Sequence, residues 1–393
     1  MNTLWEYKKI GDVCTVERGG SPRPIDKFIT EDENGINWIK IGDTTESMYI
    51  TKTEQKIIPE GIKKSRYVRP GDFLLSNSMS FGRPYILQID GCIHDGWLVL
   101  RDDSDFFDKR FLYYCLSSKT TYEKFKSMAV GGVVNNLNSE MVRNVLVPVP
   151  DRVEQCEIAD LLDKLTQIIS YRKNEIRLLD TLIKARFIEM FGDPTYNPNS
   201  YPIVQLSNYI EFLTSGSRGW ARYCVDDGKE WFITIKNVKD CNIITDNMQT
   251  INAPDNAEAK RTKVKEGDLL ISITADLGRT GVVTRDIAEH GAYINQHLIC
   301  IRLKTELLEP LYVAHYLESP AGKIQFAFKN QSAVKAGLNF NSINSLKLLL
   351  PPKELQCEFI SFINQVNKSK VAVQKALDET QMLFDCLMQE YFG

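Results

Sequence analysis

Gln155-Cys156-Glu157-Ile158 and the later Phe191-Gly192 return in the second half of the chain as Gln356-Cys357-Glu358-Phe359 and Phe392-Gly393. The copies are 201 residues apart at both ends, since 357 − 156 and 393 − 192 give the same difference. The segment between the two motifs has therefore repeated without insertion or deletion. A repeat of constant length indicates a duplicated rigid element.

Apolar residues recur in both copies at alternating steps of four and three, with charged interruptions at Arg172 and Arg186 in the first copy. This spacing is a heptad seam and predicts two long amphipathic helices. Pro148 and Pro150 precede the first helix, Pro351 and Pro352 precede the second, and a glycine follows each helix. The residues predicted to pair the helices are Ile158, Leu162, Leu165, Ile169, Ile176, Leu179, Ile183, Phe359, Ile363, Val366, Val373, Leu377, Phe384 and Leu387.

The length of the repeated element indicates what it packs against. A helix from Glu154 to Phe191 would be about 57 Å long, at 1.5 Å per residue, which is more than a domain of ordinary size covers. Two matched apolar stripes of equal length therefore favour packing against each other. If an approximate two-fold axis relates the two halves, the helices form an antiparallel coiled coil.

The segments before the two helices also correspond, but less strictly. The offset is 194 between Trp38 and Phe232 and 196 between Val68 and Val264. Short apolar alternations bounded by Gly, Pro, Asn and Asp predict strands, while 109–126 and 309–329 are predicted to be helical. The fold class is therefore α+β, with two pseudo-symmetric mixed α/β domains and two long helices. The predicted segments are domain 1 at 1–150, the central helix at 151–192, a linker at 193–200, domain 2 at 201–352 and the C-terminal helix at 353–393.

Composition limits the possible functions. Lysine and arginine total 48 against 51 acidic residues, so any nucleic-acid surface must be a local patch. We expect no signal peptide, because Lys8 and Lys9 interrupt the first stretch and no apolar core follows. We expect no membrane-spanning segment, because no apolar run approaches the roughly 18 residues required. The nine cysteines include no C-x-x-C pair, which is typical of reduced thiols in a cytoplasmic protein.

Motifs for catalysis are missing from the sequence. There is no phosphate-binding G-x-x-x-x-G-K-[ST] loop, and the four histidines have no metal-ligand spacing. Residues 193–196, Asp-Pro-Thr-Tyr, are similar to the base-holding motif of amino-methyltransferases but lack its second proline and an accompanying cofactor loop. Pro150-Asp151 lacks the Glu-x-Lys of a nuclease and is better explained as a helix entry. We therefore predict no catalytic residue and no metal site.

Paired polar loops are the candidate binding sites. Residues 17–23 correspond to 214–219, and 76–83 correspond to 272–279. Arg and Lys can contact guanine or phosphates, and Asn can bond adenine edges, although Gly, Ser and Asn are also ordinary turn residues. The predicted DNA-binding residues are Arg18, Ser21, Arg23, Lys40, Asn77, Ser78, Ser80, Arg83, Asn135, Asn136, Ser215, Ser217, Arg218, Lys236, Asn237, Thr274, Arg279, Lys335 and Asn339.

The order of these parts resembles the specificity subunit of type I restriction-modification systems, over the whole chain. Its most specific pieces are Glu-Gln-Cys-Glu-Ile at 154–158 and Arg-Phe-Ile-Glu-Met-Phe-Gly-Asp-Pro at 186–194. The second copy departs from the family pattern at Leu355, where Glu is usual, and at Asp385, where a basic residue is usual. These departures affect the contacts expected of the C-terminal helix and not the resemblance to the family.

The resemblance implies two target-recognition domains, each reading one half of an asymmetric bipartite DNA site, and conserved spacer helices that dock two modification (methyltransferase) subunits. This chain would be non-catalytic and without cofactor. The complex would act in bacterial defence as an adenine-N6 DNA methyltransferase and an ATP-dependent endonuclease. S-adenosylmethionine, ATP and Mg would be bound by the modification and restriction (motor and nuclease) subunits.

Three alternatives stay open from the sequence. One is the specificity subunit of a type II-like system that cleaves on both sides of its site, which the sequence does not distinguish from the first reading. Another is a coiled-coil scaffold that binds only protein and has no need of paired Arg- and Asn-containing loops. A self-sufficient methyltransferase or nuclease would require the motifs that are missing.

Overall fold

The computed structural model describes residues 5–77, 82–129, 136–331 and 337–393. Contacts within the chain divide it into two units. Unit 1 comprises Met1–Lys173 and Gln374–Gly393, and unit 2 comprises Asn174–Val373. Each long helix is thus divided between the units, whereas the sequence-based limits at 150, 192, 200 and 352 follow the repeat. Those limits stay predictions.

Unit 1 begins with a mixed α/β domain. Its strands are β1 (Glu6–Lys9), β2 (Thr15–Arg18), β3 (Ile29–Thr30), β4 (Ile36–Ile39), β5 (Tyr49–Ile50), β6 (Gln55–Ile57), β7 (Arg66–Val68), β8 (Phe73–Ser76), β9 (Pro84–Leu87), β10 (Gly91–Ile93), β11 (Trp97–Arg101) and β12 (Leu146–Val149). Its shorter helices are α1 (Ile10–Val13), α2 (Lys109–Ser117), α3 (Lys119–Ala129) and α4 (Ser139–Arg143). The central sheet has the order β2-β11-β8-β9-β5, a second sheet has the order β3-β6-β4-β10-β7, and β1 pairs with β12.

The central sheet of unit 1 is buried on both faces. The side chains of β11 show this, because they point alternately into two core clusters. Leu98 and Leu100 belong to a core cluster that includes Phe111 of α2. Trp97 and Val99 point to the opposite face and join a cluster built with the second sheet. Because side chains alternate along a strand, the four consecutive apolar residues of β11 pack against both layers.

Unit 2 contains a related domain. Its strands are β13 (Ile203–Gln205), β14 (Ile210–Ser215), β15 (Glu230–Ile233), β16 (Val238–Lys239), β17 (Asn242–Ile243), β18 (Gln249–Ile251), β19 (Leu269–Ser272), β20 (Thr280–Val282), β21 (Ala292–Ile294), β22 (Leu298–Leu303) and β23 (Lys347–Leu349). The long central helix is α5 (Arg152–Phe191). The shorter helices that follow it are α6 (Ala257–Thr262), α7 (Arg285–His290), α8 (Pro310–Glu318), α9 (Pro320–Gln331) and α10 (Phe340–Asn344). The central sheet has the order β14-β22-β19-β20. Ile299 and Ile301 face the helices, and Leu298 and Cys300 face the other layer.

The repeated Gly-Asp pairs before β8 and β19 have a structural role. Asp268 accepts hydrogen bonds from Arg302 of β22, at 2.8 Å from Nε and 2.7 Å from Nη2, and its side chain is fully buried. In unit 1, Asp72 accepts a bond from Arg101 Nε of β11 at 3.1 Å. Each aspartate therefore connects the turn before one strand to the neighbouring strand of the central sheet.

The two long helices are α5 (Arg152–Phe191) and α11 (Lys353–Phe392), and each has 40 residues. Their limits keep the offset of the repeat, since 353 − 152 and 392 − 191 both equal 201. Every residue of the predicted seam is buried or half-buried. Among the described residues, no helix is long and apolar enough to cross a membrane.

Contacts within each unit show that α5 and α11 are antiparallel. In unit 2, Asp180 pairs with Lys370 at 2.5 Å, while Phe187 lies 5.4 Å from Phe359 between ring centroids. A later residue of α5 thus meets an earlier residue of α11. In unit 1 the start of α5, at Ile158, packs in the same cluster as the end of α11. The predicted α+β fold with paired antiparallel helices is confirmed.

Each domain helix predicted at 109–126 and 309–329 is in fact two helices. The breaks fall at Ser118, between α2 and α3, and at Ser319, between α8 and α9. Ser118 Oγ accepts a bond from Thr121 N at 3.2 Å, and Ser319 Oγ donates to Tyr316 O at 2.6 Å. These local bonds between side chain and backbone compete with the helical pattern, and the apolar spacing gave no sign of them.

Candidate nucleic-acid interface

Polar loops from distant parts of domain 1 meet at one end of the central sheet. The strand register places Leu98 opposite Arg18, and Trp97 opposite Ser76. The ends of β2 and β8 therefore lie beside the start of β11. The loop that enters β11, residues 94–96, is consequently placed between the two polar loops that the sequence singled out.

Asp95 in this loop is the residue on which four of the predicted DNA-binding residues converge. Its carbonyl oxygen accepts bonds from Arg18 Nε at 3.2 Å and from Asn77 Nδ2 at 2.9 Å. Its carboxylate accepts from Ser21 Oγ at 2.9 Å and pairs with Arg23 at 3.5 Å. Sequence reasoning missed Asp95, although it joins residues that are up to 77 positions away.

The charge state of this cluster follows from its contacts. Burial opposes ionisation of Asp95, but the hydrogen bonds from Ser21 and from its own backbone N–H, together with nearby charges that include Arg18, outweigh burial and lower its pKa below the ordinary value. Burial lowers the pKa of His94, so this ring is neutral at pH 7. Domain 1 therefore presents one carboxylate surrounded by the exposed cationic side chains of Arg18 and Arg23.

Domain 2 has a matching loop at residues 295–297, again 201 positions after its counterpart. The register places Ser215 opposite Ile299, and Ser272 opposite Leu298. Thr274 Oγ1 lies 2.8 Å from His297 Nδ1. Three predicted residues, Ser215, Ser217 and Thr274, are thereby brought to the loop, as their counterparts are in domain 1.

A close approach between two backbone segments explains why both domains have a glycine in the first polar loop. A Cβ atom on Gly19 would lie 2.1 Å from the carbonyl oxygen of His94, and a Cβ atom on Gly216 would lie 2.0 Å from that of Asn295. Only glycine fits at such distances. The two domains therefore use the same contact between the first polar loop and the loop that enters β11 or β22.

Arg261 of α6 is a cation that sequence reasoning missed. Its Nη1 donates to Ser215 O at 2.8 Å and to Thr214 Oγ1. It is exposed and lies at the loop cluster of domain 2. No sequence motif marks it, because α6 follows β14 by more than 40 residues and reaches it only in the folded domain.

Several predicted residues have their polar groups engaged in local structure. Asn237 is 8% exposed, accepts from Thr234 N at 2.9 Å and donates to Ile244 O at 3.2 Å. Asn339 caps α10 by accepting from Ser342 N at 2.9 Å. Ser217 is buried, and Arg279 pairs with Asp276 at 2.5 Å. The contacts predicted between these side chains and DNA stay predictions.

The remaining predicted residues lie around the two clusters. Asn136 precedes Leu137, whose N–H donates to Asn77 O at 3.0 Å. Lys40 immediately precedes a short 3₁₀ turn at Ile41–Asp43, and Ile41 N donates to His94 Nε2 at 3.2 Å. The remaining three, all exposed, are Arg83, Arg218 and Lys236. Ser78, Ser80, Asn135 and Lys335 lie outside the described residues.

Two sequence motifs considered for catalysis have structural contacts. Asp151 Oδ1 accepts from the N–H groups of Val153 and Glu154, both at 3.0 Å, at the start of α5. Asp193 Oδ1 accepts from Thr195 N at 2.8 Å in the turn after α5. Within the described residues, no three or more His, Cys, Asp or Glu side chains form a group that could hold a metal ion.

The comparison with known families agrees with this architecture. The sequence pattern of the type I restriction modification DNA specificity domain matches residues 2–178 and 226–380, which together make up most of the chain. The chain belongs to this family of restriction-modification specificity subunits. Each half of the chain contributes one of the matched regions.

Individual relatives are distant in sequence but similar in extent. The EcoBI specificity subunit of Escherichia coli is 20% identical over 371 residues, covering 88% of this chain and 76% of the relative. The StySPI specificity subunit of Salmonella potsdam is 21% identical over 408 residues, covering 98% and 87%. The putative MjaX specificity subunit of Methanocaldococcus jannaschii is 23% identical over 387 residues, covering 90% and 84%.

Solved structures show the same fold. A chain from a study of complex assembly and conformational transition of the type I R-M system has a TM-score of 0.62 at 19% identity, covering 99% of this chain and 97% of that chain. The S subunit from M. genitalium has a TM-score of 0.57 at 14% identity, covering 100% and 97%.

Proposed function

We propose that this chain is the sequence-specific DNA-recognition subunit of a type I restriction-modification complex, in which each domain reads one half of a bipartite site. One observation carries this proposal. The same cluster of polar loops, with the same close approach at Gly19 and Gly216, is present at the end of the central sheet in both domains. A duplicated surface with exposed cations suits two separate stretches of duplex.

The two half-sites should differ in sequence. Gly19 is flanked by Arg18 and Gly20, whereas the equivalent Gly216 is flanked by Ser215 and Ser217, so a cation in domain 1 corresponds to a serine in domain 2. Identical domains related by a two-fold axis would read a palindrome. Domains with different loops therefore support an asymmetric site.

The long helices support the second part of the proposal, that α5 and α11 set the distance between half-sites and dock the modification subunits. The seam residues are occupied by pairing within each unit, but α5 has further apolar side chains that are exposed. In unit 1 these include Leu161, Ile168 and Tyr171, and the last is 64% exposed. An exposed apolar stripe on a long helix suits a protein partner.

The remaining activities belong to partners in this proposal. Two modification subunits would bring S-adenosylmethionine and transfer the methyl group to adenine N6. Restriction subunits would supply the ATP- and Mg-dependent motor and nuclease. This chain would contribute duplex recognition and assembly, without a catalytic residue of its own.

Duplex binding separates this proposal from a scaffold that binds only protein. The chain, assembled with its modification subunit, is titrated with a labelled duplex at several salt concentrations. We expect binding whose logarithm falls linearly with the logarithm of salt concentration, because phosphate contacts release counterions. A scaffold would show no duplex binding even at low salt, which would contradict the proposal.

Paired variants locate the contacts. Arg23→Ala removes an exposed cation at the loop cluster of domain 1 and should reduce the salt slope by about one. Arg177→Ala removes an exposed arginine of α5, whose Nη2 donates to Asn174 Oδ1 at 2.7 Å, and should leave the slope unchanged. Equal slopes for both variants would place the duplex elsewhere on the chain.

A further inference from the structure

The loops that enter β11 and β22, residues 94–96 and 295–297, differ between the domains at all three corresponding positions, including the middle one. Residue 95 is aspartate and residue 296 is glutamine, and the two positions are 201 apart. We propose that Asp95 and Gln296 are specificity-determining residues, each reading a base edge in its own half-site. This inference rests on the proposed function and names the side chains that carry it out.

The backbone around the two positions is held in the same way. In domain 1, Gly19 N donates to Trp97 O at 2.9 Å, and Gly20 N donates to Ile93 O at 3.1 Å. The equivalent bonds of domain 2 are Gly216 N to Leu298 O at 3.1 Å and Ser217 N to Ile294 O at 3.2 Å. A shared backbone position with different side chains is what allows one framework to distinguish two sequences.

Both side chains are half-buried and keep part of their surface open to solvent. The Asp95 carboxylate is oriented by Ser21 Oγ at 2.9 Å and by Arg23 at 3.5 Å. Gln296 Nε2 lies 3.1 Å from His297 Nε2, and His297 Nδ1 lies 2.8 Å from Thr274 Oγ1. Each side chain is therefore positioned by neighbours before any base arrives.

The chemistry of the two side chains predicts which bases they read. An ionised aspartate only accepts hydrogen bonds and suits the cytosine N4 amino group in the major groove. A glutamine both donates and accepts, and it suits adenine N6 and N7. Domain 1 therefore reads a C·G pair at this position, and domain 2 reads an A·T pair.

The cations near Asp95 have a separate role. Arg18 is exposed, and the backbone of Gly20 approaches that of Lys64, since a Cβ on Gly20 would lie 3.2 Å from Lys64 O. Lys63 and Lys64 are both exposed. These cations suit the phosphates on either side of the base that Asp95 reads. The Asp95 carboxylate then accepts a hydrogen bond from that base within a surface that is otherwise cationic.

Substitutions of Gln296 test the inference with the complete chain in complex with its modification subunit. Genomic DNA modified by Gln296→Ala is sequenced for methylated bases. One A·T position of one half-site should lose its preference by about tenfold or more, and the other half-site should be unchanged. Gln296→Glu should instead shift the preference at that position from adenine towards cytosine.

Asp95→Asn is the equivalent substitution in domain 1. It keeps the shape of the side chain and replaces the carboxylate with a neutral amide. It should alter one C·G position of the other half-site only. Gln205→Ala is the matched control, because Gln205 is exposed on β13 and its Nε2 donates to Asn344 O at 3.0 Å. The methylated sequence should be the same in this control as in the unchanged chain. Thermal melting of each variant shows that it is folded.

Two results would overturn the inference. If folded Gln296→Ala and Gln296→Glu both methylate the sequence recognised by the unchanged chain, residue 296 reads no base, while the proposed function stands. If one substitution weakens recognition at every position of both half-sites, the residue supports binding in general and does not read a base. Failure of the unchanged complex to methylate any specific sequence would instead refute the proposed function.

Discussion

Gln155 and Gln356 make the same set of three hydrogen bonds at the starts of the two long helices. Gln155 Nε2 donates to Phe106 O at 3.0 Å and to Pro150 O at 2.9 Å, and its Oε1 accepts from Asp108 N at 2.7 Å. The side chain is 1% exposed. A single buried amide thus connects α5 to the proline-bounded entry and to the loop before α2.

Gln356 repeats these contacts in unit 2. Its Nε2 donates to Leu307 O at 3.0 Å and to Pro351 O at 2.9 Å, and its Oε1 accepts from Glu309 N at 2.9 Å. These contacts explain why both copies of the repeated motif contain a glutamine. It holds the start of each long helix in one orientation to the domain that precedes it.

Gln155→Ala should destabilise unit 1. The substitution leaves three backbone groups without their partner, of which Pro150 O is buried and Phe106 O and Asp108 N are partly buried. Because an unsatisfied buried group costs about 1–3 kcal/mol, we expect a loss of about that size in the free energy of unfolding, measured by urea denaturation. Gln167→Ala, which removes an exposed glutamine of the same helix, should change it by less than about 0.5 kcal/mol. Similar losses in both variants would show that the buried contacts contribute little.

The aspartates of the two Gly-Asp pairs should differ in importance, because Asp268 is buried and Asp72 is only half-buried. Asp268→Ala leaves Arg302 partly buried without its carboxylate, which we expect to cost unit 2 about 3–5 kcal/mol. Asp72→Ala should cost unit 1 less, because Arg101 keeps its bond to Glu17 at 2.7 Å. Urea denaturation of the two variants compares them directly. A larger loss for Asp72→Ala would contradict this account of the two sites.

Crosslinking tests the antiparallel direction of the helices. Ile158 and Tyr391 pack in the same cluster of unit 1, whereas Phe359 belongs to the cluster of unit 2. Cysteines at 158 and 391 should therefore be joined by a short bismaleimide, as judged by mobility on a denaturing gel. Cysteines at 158 and 359 should not be joined. Native thiols would also react with the crosslinker. The more accessible native cysteines are therefore replaced with serine; these are Cys156, Cys224, Cys357 and Cys386.

Inserting four residues into α5 tests the proposed ruler. Four helical residues add about 6 Å, which corresponds to roughly two base pairs. The methylated site should keep both half-site sequences while the unspecified spacer between them changes in length. The same insertion after Asn199, in the segment that follows α5, should leave the spacer unchanged. An unchanged spacer after the α5 insertion would count against the ruler.

The long helices could be predicted from sequence because their signal is local and repeated. The heptad spacing predicted that both segments are helical, and the constant offset of 201 indicated which residues of the two helices correspond. The segment predicted for the central helix, 151–192, begins one residue before the observed start at Arg152. The additional residue, Asp151, caps the helix through its side chain.

The loop cluster was predicted only in part because it depends on strand pairing over long distances. Arg18, Ser21, Arg23 and Asn77 were predicted, yet Asp95, on which they converge, was not. Asp95 lies in a short loop without a motif, and only the register of β2, β11 and β8 brings these residues together. One signal was available, since Ile93 and Ile294 keep the offset of 201. Arg261 had a weaker signal, because the offset of 196 between Val68 and Val264 pairs it with Ser65, which carries no charge.

Sequencing methylated bases in DNA from cells that contain this chain and its modification subunit tests the central claim most directly. We predict methylation at an asymmetric site made of two different half-sites with an unspecified spacer between them. Replacing residues 1–150 with the first domain of another family member should change one half-site and leave the other intact. A continuous or palindromic site, or a change in both half-sites after the replacement, would contradict independent reading by the two domains.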